Sequence, residues 1–225
     1  MLAFYEALDW MLPGQLEAFA HRKAFCEHYV KEGIALGASQ ILILGAGYDT
    51  LGWRLSVEFP EVKFFEIDHP ATATLKARGV DVMGLRSNLF LIAEDLGKHD
   101  LIDVLAENPN WDRNAKSVII AEGLVMYLTP ESVKRLFNQC AAGVGSGSRV
   151  AFSYIPIGTN GRLDAGPRTG LMLWLQKAGG EPWLWSILPE ELGPYLEECG
   201  WKMDPEHNWA RRKYGVEFFV MAVKV

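Results

Sequence analysis

Short apolar runs recur along this chain, and each gives way to a stretch with helical spacing. The runs fall at 41–45, 62–67, 89–94, 117–122 and 149–155, with helical stretches between them at 49–58, 70–78, 98–106 and 130–142. Strands read as unbroken apolar runs when both faces of their sheet are covered, and strands separated by helices pair in parallel. The pattern therefore predicts βαβ units around a buried, mostly parallel sheet. Ahead of the first run, residues 1–14 read as a short apolar helix ended by Pro13-Gly14. Residues 15–36 read as an amphipathic helix, with Leu16, Phe19, Cys26, Tyr29 and Val30 on its apolar positions and Gly37 past its end.

The texture changes at Pro156. "PIGTNGRLDAGPRTG" is a glycine-rich loop carrying Arg162 and Arg168, "LMLWLQKAGG" reads as a short helix, and "EPWLWSI" is aromatic. The 33-residue interruption from Pro156 to Leu188 is long for a plain connection, which predicts a functional insertion or lid. The alternative is a surface excursion packed by its own tryptophans. Pro189 then opens a helix and Gly200 follows its end. Two strand-like segments come next with no helix between them, "GWKMDPEH" and "YGVEFFVMAVKV", so the sheet is expected to close on an antiparallel hairpin. The domain reading is helices over 1–40 that partly cover a site, followed by one α/β domain over 41–225.

Chemistry enters at the strand ends. In an open α/β sheet, ligands sit beyond the carboxyl ends of the strands. The first strand ends in "LGAGYDT", a glycine turn made by Gly45, Ala46 and Gly47 with Asp49 just beyond. The second ends in "FFEID", the third in "IAEDL" and the fourth in "IIAEGL". Asp68, Asp95 and Glu122 are thus spaced 27 residues apart and gather along one edge. A pyrophosphate would be repelled there. S-adenosylmethionine carries a sulfonium, an ammonium and ribose hydroxyls but no phosphate, and suits an acidic edge. The turn also departs from G-x-G-x-x-G, because Thr50 stands at the last glycine position. Asp49 and Asp68 both precede helices, so each has a capping role open to it beside ligand contact. Glu122 lies between two apolar runs, and a carboxylate so placed demands a cationic partner.

Composition narrows the classes. The chain has 225 residues, 49% apolar and 22% charged, with a net charge of -6. That suits one globular domain and disfavours nucleic acid as a partner. Cys26, Cys140 and Cys199 are far apart and read as reduced structural thiols, and the five histidines show no metal spacing. Glu6 and Asp9 stand where a signal peptide carries positive charge, and no run reaches the ~20 apolar residues of a membrane span. A cytoplasmic protein without a membrane partner is expected; its oligomeric state is not legible.

The quoted motifs, together with "GWRL", "DHP", "GLVMYLTPE" and "GEPWLWSILPEELGPYLEECGW", resemble those of the leucine carboxyl methyltransferase family. That family includes bacterial O-methyltransferases related to those of polyketide synthesis. The resemblance covers about residues 20 to 155 and a C-terminal part. It implies a class I methyltransferase fold, Rossmann-like, with S-adenosyl-L-methionine as cofactor. It also implies that Gly45 and Gly47, flanking Ala46, line the methionine and ribose. Asp68 would take the ribose hydroxyls, Asp95 and Leu96 the adenine, and Glu122 the methionine portion. Arg22, in "HRKAF", would reach the cofactor, and Tyr127 would lie near an acceptor carboxylate.

Two readings stand beside this one. A nicotinamide oxidoreductase is opposed by Thr50 and by the terminal hairpin. A catalytically silent protein that binds S-adenosylmethionine is opposed by the retained acidic constellation. Amino-group methylation of DNA is disfavoured, because "AEGLVMYL" after the fourth strand lacks an Asn/Asp-Pro-Pro-aromatic motif. The expected reaction is methyl transfer to a carboxyl or hydroxyl oxygen of a small-molecule acceptor, with a protein C-terminus as a less favoured acceptor. His69, Tyr154, Arg162 and Arg168 are the other side chains that could serve an acceptor.

Overall fold

A computed structural model describes residues 15–158, 160–164, 169–204 and 217–225. The helix expected over 1–14 and Arg168 lie outside the described residues. A long helix, α1 (Gln15–Ala35), leads into β1 (Gln40–Leu44), α2 (Leu51–Glu58), β2 (Lys63–Asp68), α3 (Pro70–Met83) and β3 (Leu89–Ala93). The chain continues through α4 (Leu101–Ala106), β4 (Ser117–Ala121), a 3-10 turn (Val125–Tyr127), α5 (Pro130–Ala142) and β5 (Arg149–Tyr154). It finishes with α6 (Thr169–Ala178), α7 (Pro189–Glu198), β6 (Trp201–Met203) and β7 (Phe218–Lys224).

The seven strands form one sheet in the order β3-β2-β1-β4-β5-β7-β6. Its first five members are parallel, and β7 runs antiparallel to both β5 and β6. Alternation along each strand divides the core. Leu42, Leu44, Phe65, Ile67, Ile119 and Phe152 join one packed layer, which α4, α5 and α7 complete. Ile41, Ile43, Phe64, Val118, Ile120 and Ala151 join the other, against Phe25, Tyr29 and Val30 of α1 and Leu51 and Leu55 of α2. Burial on both faces explains the unbroken apolar runs in the sequence. Gly33 lets α1 lie close on the sheet, since a Cβ there would come within 2.1 Å of Val118 Cγ2.

Several helix boundaries differ from the sequence pattern: α1 ends at Ala35 rather than 36, and α2 begins at Leu51 rather than 49, after the Asp49 turn. α3 runs through Gly79 to Met83 rather than stopping at 78, because Val80 is buried and anchors the extra turn. α4 begins at Leu101, not 98. The preceding residues are held in a turn by Asp95, whose carboxylate accepts from Gly97 N and whose carbonyl accepts from Lys98 N and His99 N. The insertion after β5 returns to the sheet edge. Leu184 and Trp185 both donate their N–H groups to Met126 O, and Pro156 bridges Ile187. Trp185 and Ile187 are buried in the core, whereas Leu171, Leu173 and Trp174 of α6 are exposed.

Candidate functional site

The carboxyl ends of β1 to β4 meet along one edge, and the antiparallel start of β7 joins them. Gly45, at the end of β1, stands between two cavities. One is about 220 Å³ and is lined by Ile67, Leu101, Leu124, Leu128 and Leu136, with Asp68, His69, Asp95 and Leu96 along its mouth. The other is about 190 Å³ and is lined by Arg22, Lys23, Gly45 to Asp49, and Glu122.

The turn between them is shaped by glycine. Gly45 and Gly47 have φ of +63° and +50°, in the left-handed region that other residues adopt only at a cost. A Cβ on Gly47 would meet no atom within 4 Å, so the backbone there faces open space. Asp68 Oδ2 accepts from Gly47 N at 2.6 Å, while its Oδ1 accepts from His69 N. Asp68 thus ties the end of β2 to the turn. The cap of α3 is His69 instead, whose Nδ1 accepts from Ala71 N at 3.3 Å. Asp49 Oδ1 accepts from Leu51 N at 2.6 Å, which opens α2 as a short carboxylate turn.

Ion pairs organise the second cavity. Lys23 Nζ contacts Asp49 and lies 2.6 Å from Glu122 Oε1. Arg22 donates through Nε to Glu122 Oε1 at 2.7 Å and through Nη1 to Glu217 Oε1 at 2.5 Å. The cationic partner that the setting of Glu122 demands is therefore a pair of partners on α1. Burial works against both cations, but the carboxylates outweigh it and raise both above their ordinary values. Burial also works against the Asp49 carboxylate, yet Lys23 and the Leu51 N–H hold it below its usual value. Cys26, behind this network, is pushed well up by burial and by Glu122, so it stays a thiol.

A further pair lies beneath the turn. Lys76 Nζ of α3 is 2.6 Å from Glu66 Oε2 of β2, with side chains 7% and 2% exposed. The same ammonium donates to Ala46 O at 3.4 Å. Burial raises the Glu66 carboxyl above its ordinary value, against the pull of Lys76.

The sequence-selected residues divide cleanly. Gly45, Asp68, Asp95 and Leu96 line the first cavity; Arg22, Gly45, Ala46, Gly47, Asp49 and Glu122 line the second. Tyr127 lies in the 3-10 turn and lines neither. Tyr154 is buried between Phe152, Trp185 and Phe218, and burial raises its hydroxyl, which makes it a core tyrosine. Arg162 is exposed. Lys23, Glu217, and Ser132, Arg135 and Gln139 of α5 escaped the sequence reading. The signal for Lys23 was present: it stands beside Arg22 in "HRKAF".

The strand order, with its antiparallel seventh strand, and a glycine turn at the end of β1 define the class I S-adenosylmethionine-dependent methyltransferase fold. A methyltransferase-described structure from Thermobifida fusca superposes with a TM-score of 0.74 at 14% identity, covering 99% of this chain and 87% of that one. The mitomycin 7-O-methyltransferase MmcR gives 0.60 at 15% identity, over 84% and 50%. The leucine carboxyl methyltransferase family profile matches residues 5–141. The chain belongs to that family.

YktD of Bacillus subtilis, provisionally named as an S-adenosyl-L-methionine-dependent methyltransferase, is 29% identical over 196 residues, 86% of this chain and 64% of that protein. A protein of the same designation from Mycolicibacterium vanbaalenii is 34% identical over 146 residues, 62% and 46% of the two chains. The chain thus spans less than two thirds of the length of these relatives. Their names agree with S-adenosyl-L-methionine as the expected cofactor. No described helix is long and apolar enough to cross a membrane.

Proposed function

We propose that this protein transfers a methyl group from S-adenosyl-L-methionine to an oxygen of a small-molecule acceptor, a carboxylate in the first instance. The observation that carries the reading is the division of labour about Gly45. On one side lies an apolar cavity with carboxylates at its mouth, which suits a nucleoside. On the other lies a cavity walled by paired charges, which suits a zwitterionic amino-acid end. Gly45 lines both cavities, and the backbone at Gly47 leaves open space on the side of the second.

Bound there, the cofactor supplies a methyl group on a positively charged sulfur. Asp68 accepts from the ribose hydroxyls while keeping the turn in place through Gly47. Asp95 and Leu96 take the adenine, against the leucines of the apolar wall. Glu122 receives the ammonium, and Arg22 and Lys23 are at hand for the carboxylate. These residues would hold the cofactor so that its methyl group could pass to an acceptor oxygen, the sulfur keeping the electron pair of the broken bond and the oxygen supplying that of the new one. Alignment and exclusion of water carry most of the acceleration in such a displacement.

A carboxylate acceptor is already an anion and needs no base. That choice is favoured by Tyr154, the residue at the end of β5. Its hydroxyl is held up by burial within an aromatic cluster and is unsuited to taking a proton. The family's name points the same way. The deciding experiment is calorimetry with S-adenosyl-L-methionine and with NAD as the control, followed by transfer of labelled methyl to a panel of carboxylic acids and phenols. Binding of the first ligand alone, with label recovered as a base-labile ester, is the expected result. Binding of NAD, or of neither, would sink the proposal.

A further inference from the structure

The charges around the methionine-side cavity do not balance. Asp49, Lys23, Glu122, Arg22 and Glu217 are joined in one unbroken series of ion pairs. Among the described residues of this series, three carboxylates face two cations, leaving one net negative charge. The neighbouring Glu66 does not alter this, because Lys76 matches it. Glu217 is the member that creates the excess. It comes from the start of β7, 195 residues from Arg22 in sequence, and its side chain is 16% exposed. Its Oε1 holds Arg22, whereas its Oε2 is buried and meets no hydrogen-bond partner among the described residues. One oxygen would have sufficed to hold the guanidinium in place. The charge left over acts on whatever occupies the cavity.

We infer that Glu217 is a specificity-determining residue that makes this site prefer the sulfonium form of its cofactor over the thioether left after methyl transfer. The inference rests on the proposed function. S-adenosylmethionine carries a sulfonium, an ammonium and a carboxylate, one net positive charge. S-adenosylhomocysteine has lost the sulfonium and is neutral overall. A fixed excess negative charge attracts the first and is indifferent to the second, so product leaves more readily than substrate. Glu122 cannot supply this preference alone, because Arg22 and Lys23 already compensate it. Glu217 acts at a distance by offsetting Arg22, and no contact with the ligand is required of it.

The test is calorimetry on the full chain with three ligands: S-adenosylmethionine, S-adenosylhomocysteine and adenosine. Glu217→Gln keeps the shape and an amide oxygen for Arg22 but removes the charge. One unit charge lost from a partly screened site is expected to weaken S-adenosylmethionine by about tenfold while the homocysteine product and adenosine change by less than about twofold. Glu217→Asp, which keeps the charge, should restore the preference. A residue that served only to brace Arg22 would lower both ligands that carry the amino-acid end together, and that outcome overturns the inference. So does an unchanged ratio in Glu217→Gln. If Glu217→Gln does not fold, the wild-type ratio decides, because equal affinity for the two forms leaves no preference to explain. Failure of the wild-type protein to bind S-adenosylmethionine at all would instead strike the proposed function.

Discussion

The cavities on either side of Gly45 have similar volumes and opposite construction. The apolar cavity, to which the proposed function assigns the nucleoside, is built largely from strand ends and the segments that follow them. Asp68 and His69 end one strand, Glu94, Asp95 and Leu96 follow the next, and leucines from α4, α5 and the turn after β4 form the wall. Its strand-end carboxylates accept from neighbours one or two residues away, as in His69 N to Asp68 and Gly97 N to Asp95, and Asp68 accepts also from Gly47 N. The charged cavity, to which the proposed function assigns the methionine end, is built by distant parts of the chain. Arg22 reaches Glu122 across 100 residues and Glu217 across 195. A strand-end carboxylate is positioned by its own β-strand, but an ion-pair series is positioned only when three separate elements have packed. In the first kind of site, loss of one group leaves the partners of the others in place. The second passes each loss along the series.

The Glu66–Lys76 pair lies beneath the turn between the cavities, where Lys76 reaches Ala46 O, so breaking it is expected to have the largest effect and to blur the contrast. Lys76→Met leaves Glu66 buried without its partner, a change worth about 3 kcal/mol of folding stability. The double variant Glu66→Leu/Lys76→Met should recover most of that loss, because both charges are then gone. Thermal melts of the three proteins check this. The pH dependence has a definite sign. Burial already places the folded Glu66 carboxyl above its ordinary value. The folded state therefore holds a proton that the unfolded chain releases first. The associated stability is complete below the unfolded carboxyl range and is lost as pH rises through the folded value. Without Lys76 the folded value rises further, so the deficit of Lys76→Met should grow between pH 5 and pH 8. A deficit that shrinks over that range contradicts the assignment.

Next in size are two single changes that ought to separate the cavities. Asp68→Ala removes the group expected to accept from the ribose, and should weaken adenosine and S-adenosylmethionine alike by about 10- to 100-fold, the worth of a hydrogen bond to a charged group. Glu122→Gln should weaken S-adenosylmethionine by about tenfold and leave adenosine unchanged, since the adenosine ligand stops short of the ion-pair series. Calorimetry with both ligands on both variants gives a four-way comparison. Equal losses of adenosine in the two would mean that the cavities are not separable.

How much of this was legible in the sequence follows the same division. The sheet, its order of helices and its terminal hairpin were readable, because burial on both faces writes each strand as a local apolar run. Gly45, Asp68, Asp95 and Glu122 were readable as strand ends. What pairs with Glu122 was readable only as a demand for positive charge, and not as Arg22 and Lys23 together. Glu217 was invisible. It sits in "YGVEFF", where a carboxylate before a strand is unremarkable until β7 is known to run antiparallel and to begin at the site edge. Arg135 and Gln139 were hidden by the same lack, since periodicity marks the core-facing side of α5 and says nothing of what its other positions overlook. The capping role open to Asp68 falls to His69, one residue on, because Gly47 N and His69 N take the Asp68 carboxylate.

Asp49 is the smallest case and the one that tests the series most gently. Its partner Lys23 is nearly half exposed, at 46%, so the contact is screened and Asp49→Asn should cost less than about 1 kcal/mol at neutral pH. Burial opposes the charge, but Lys23 and the Leu51 N–H prevail and hold the folded carboxyl below its ordinary 3.8. A depressed folded value means that the stabilisation is fully present above the unfolded value and disappears as pH falls through the folded one. The wild-type protein and Asp49→Asn should therefore differ in urea midpoint at pH 7 and converge as the pH is taken below that range. In the same titration, Asp49→Asn should bind adenosine as the wild type does, because Asp49 lines only the methionine side. A difference that persists undiminished into acid would show that Asp49 acts through its turn at the start of α2, which the asparagine amide cannot reproduce equally, and that Lys23 is held in place by Glu122 alone.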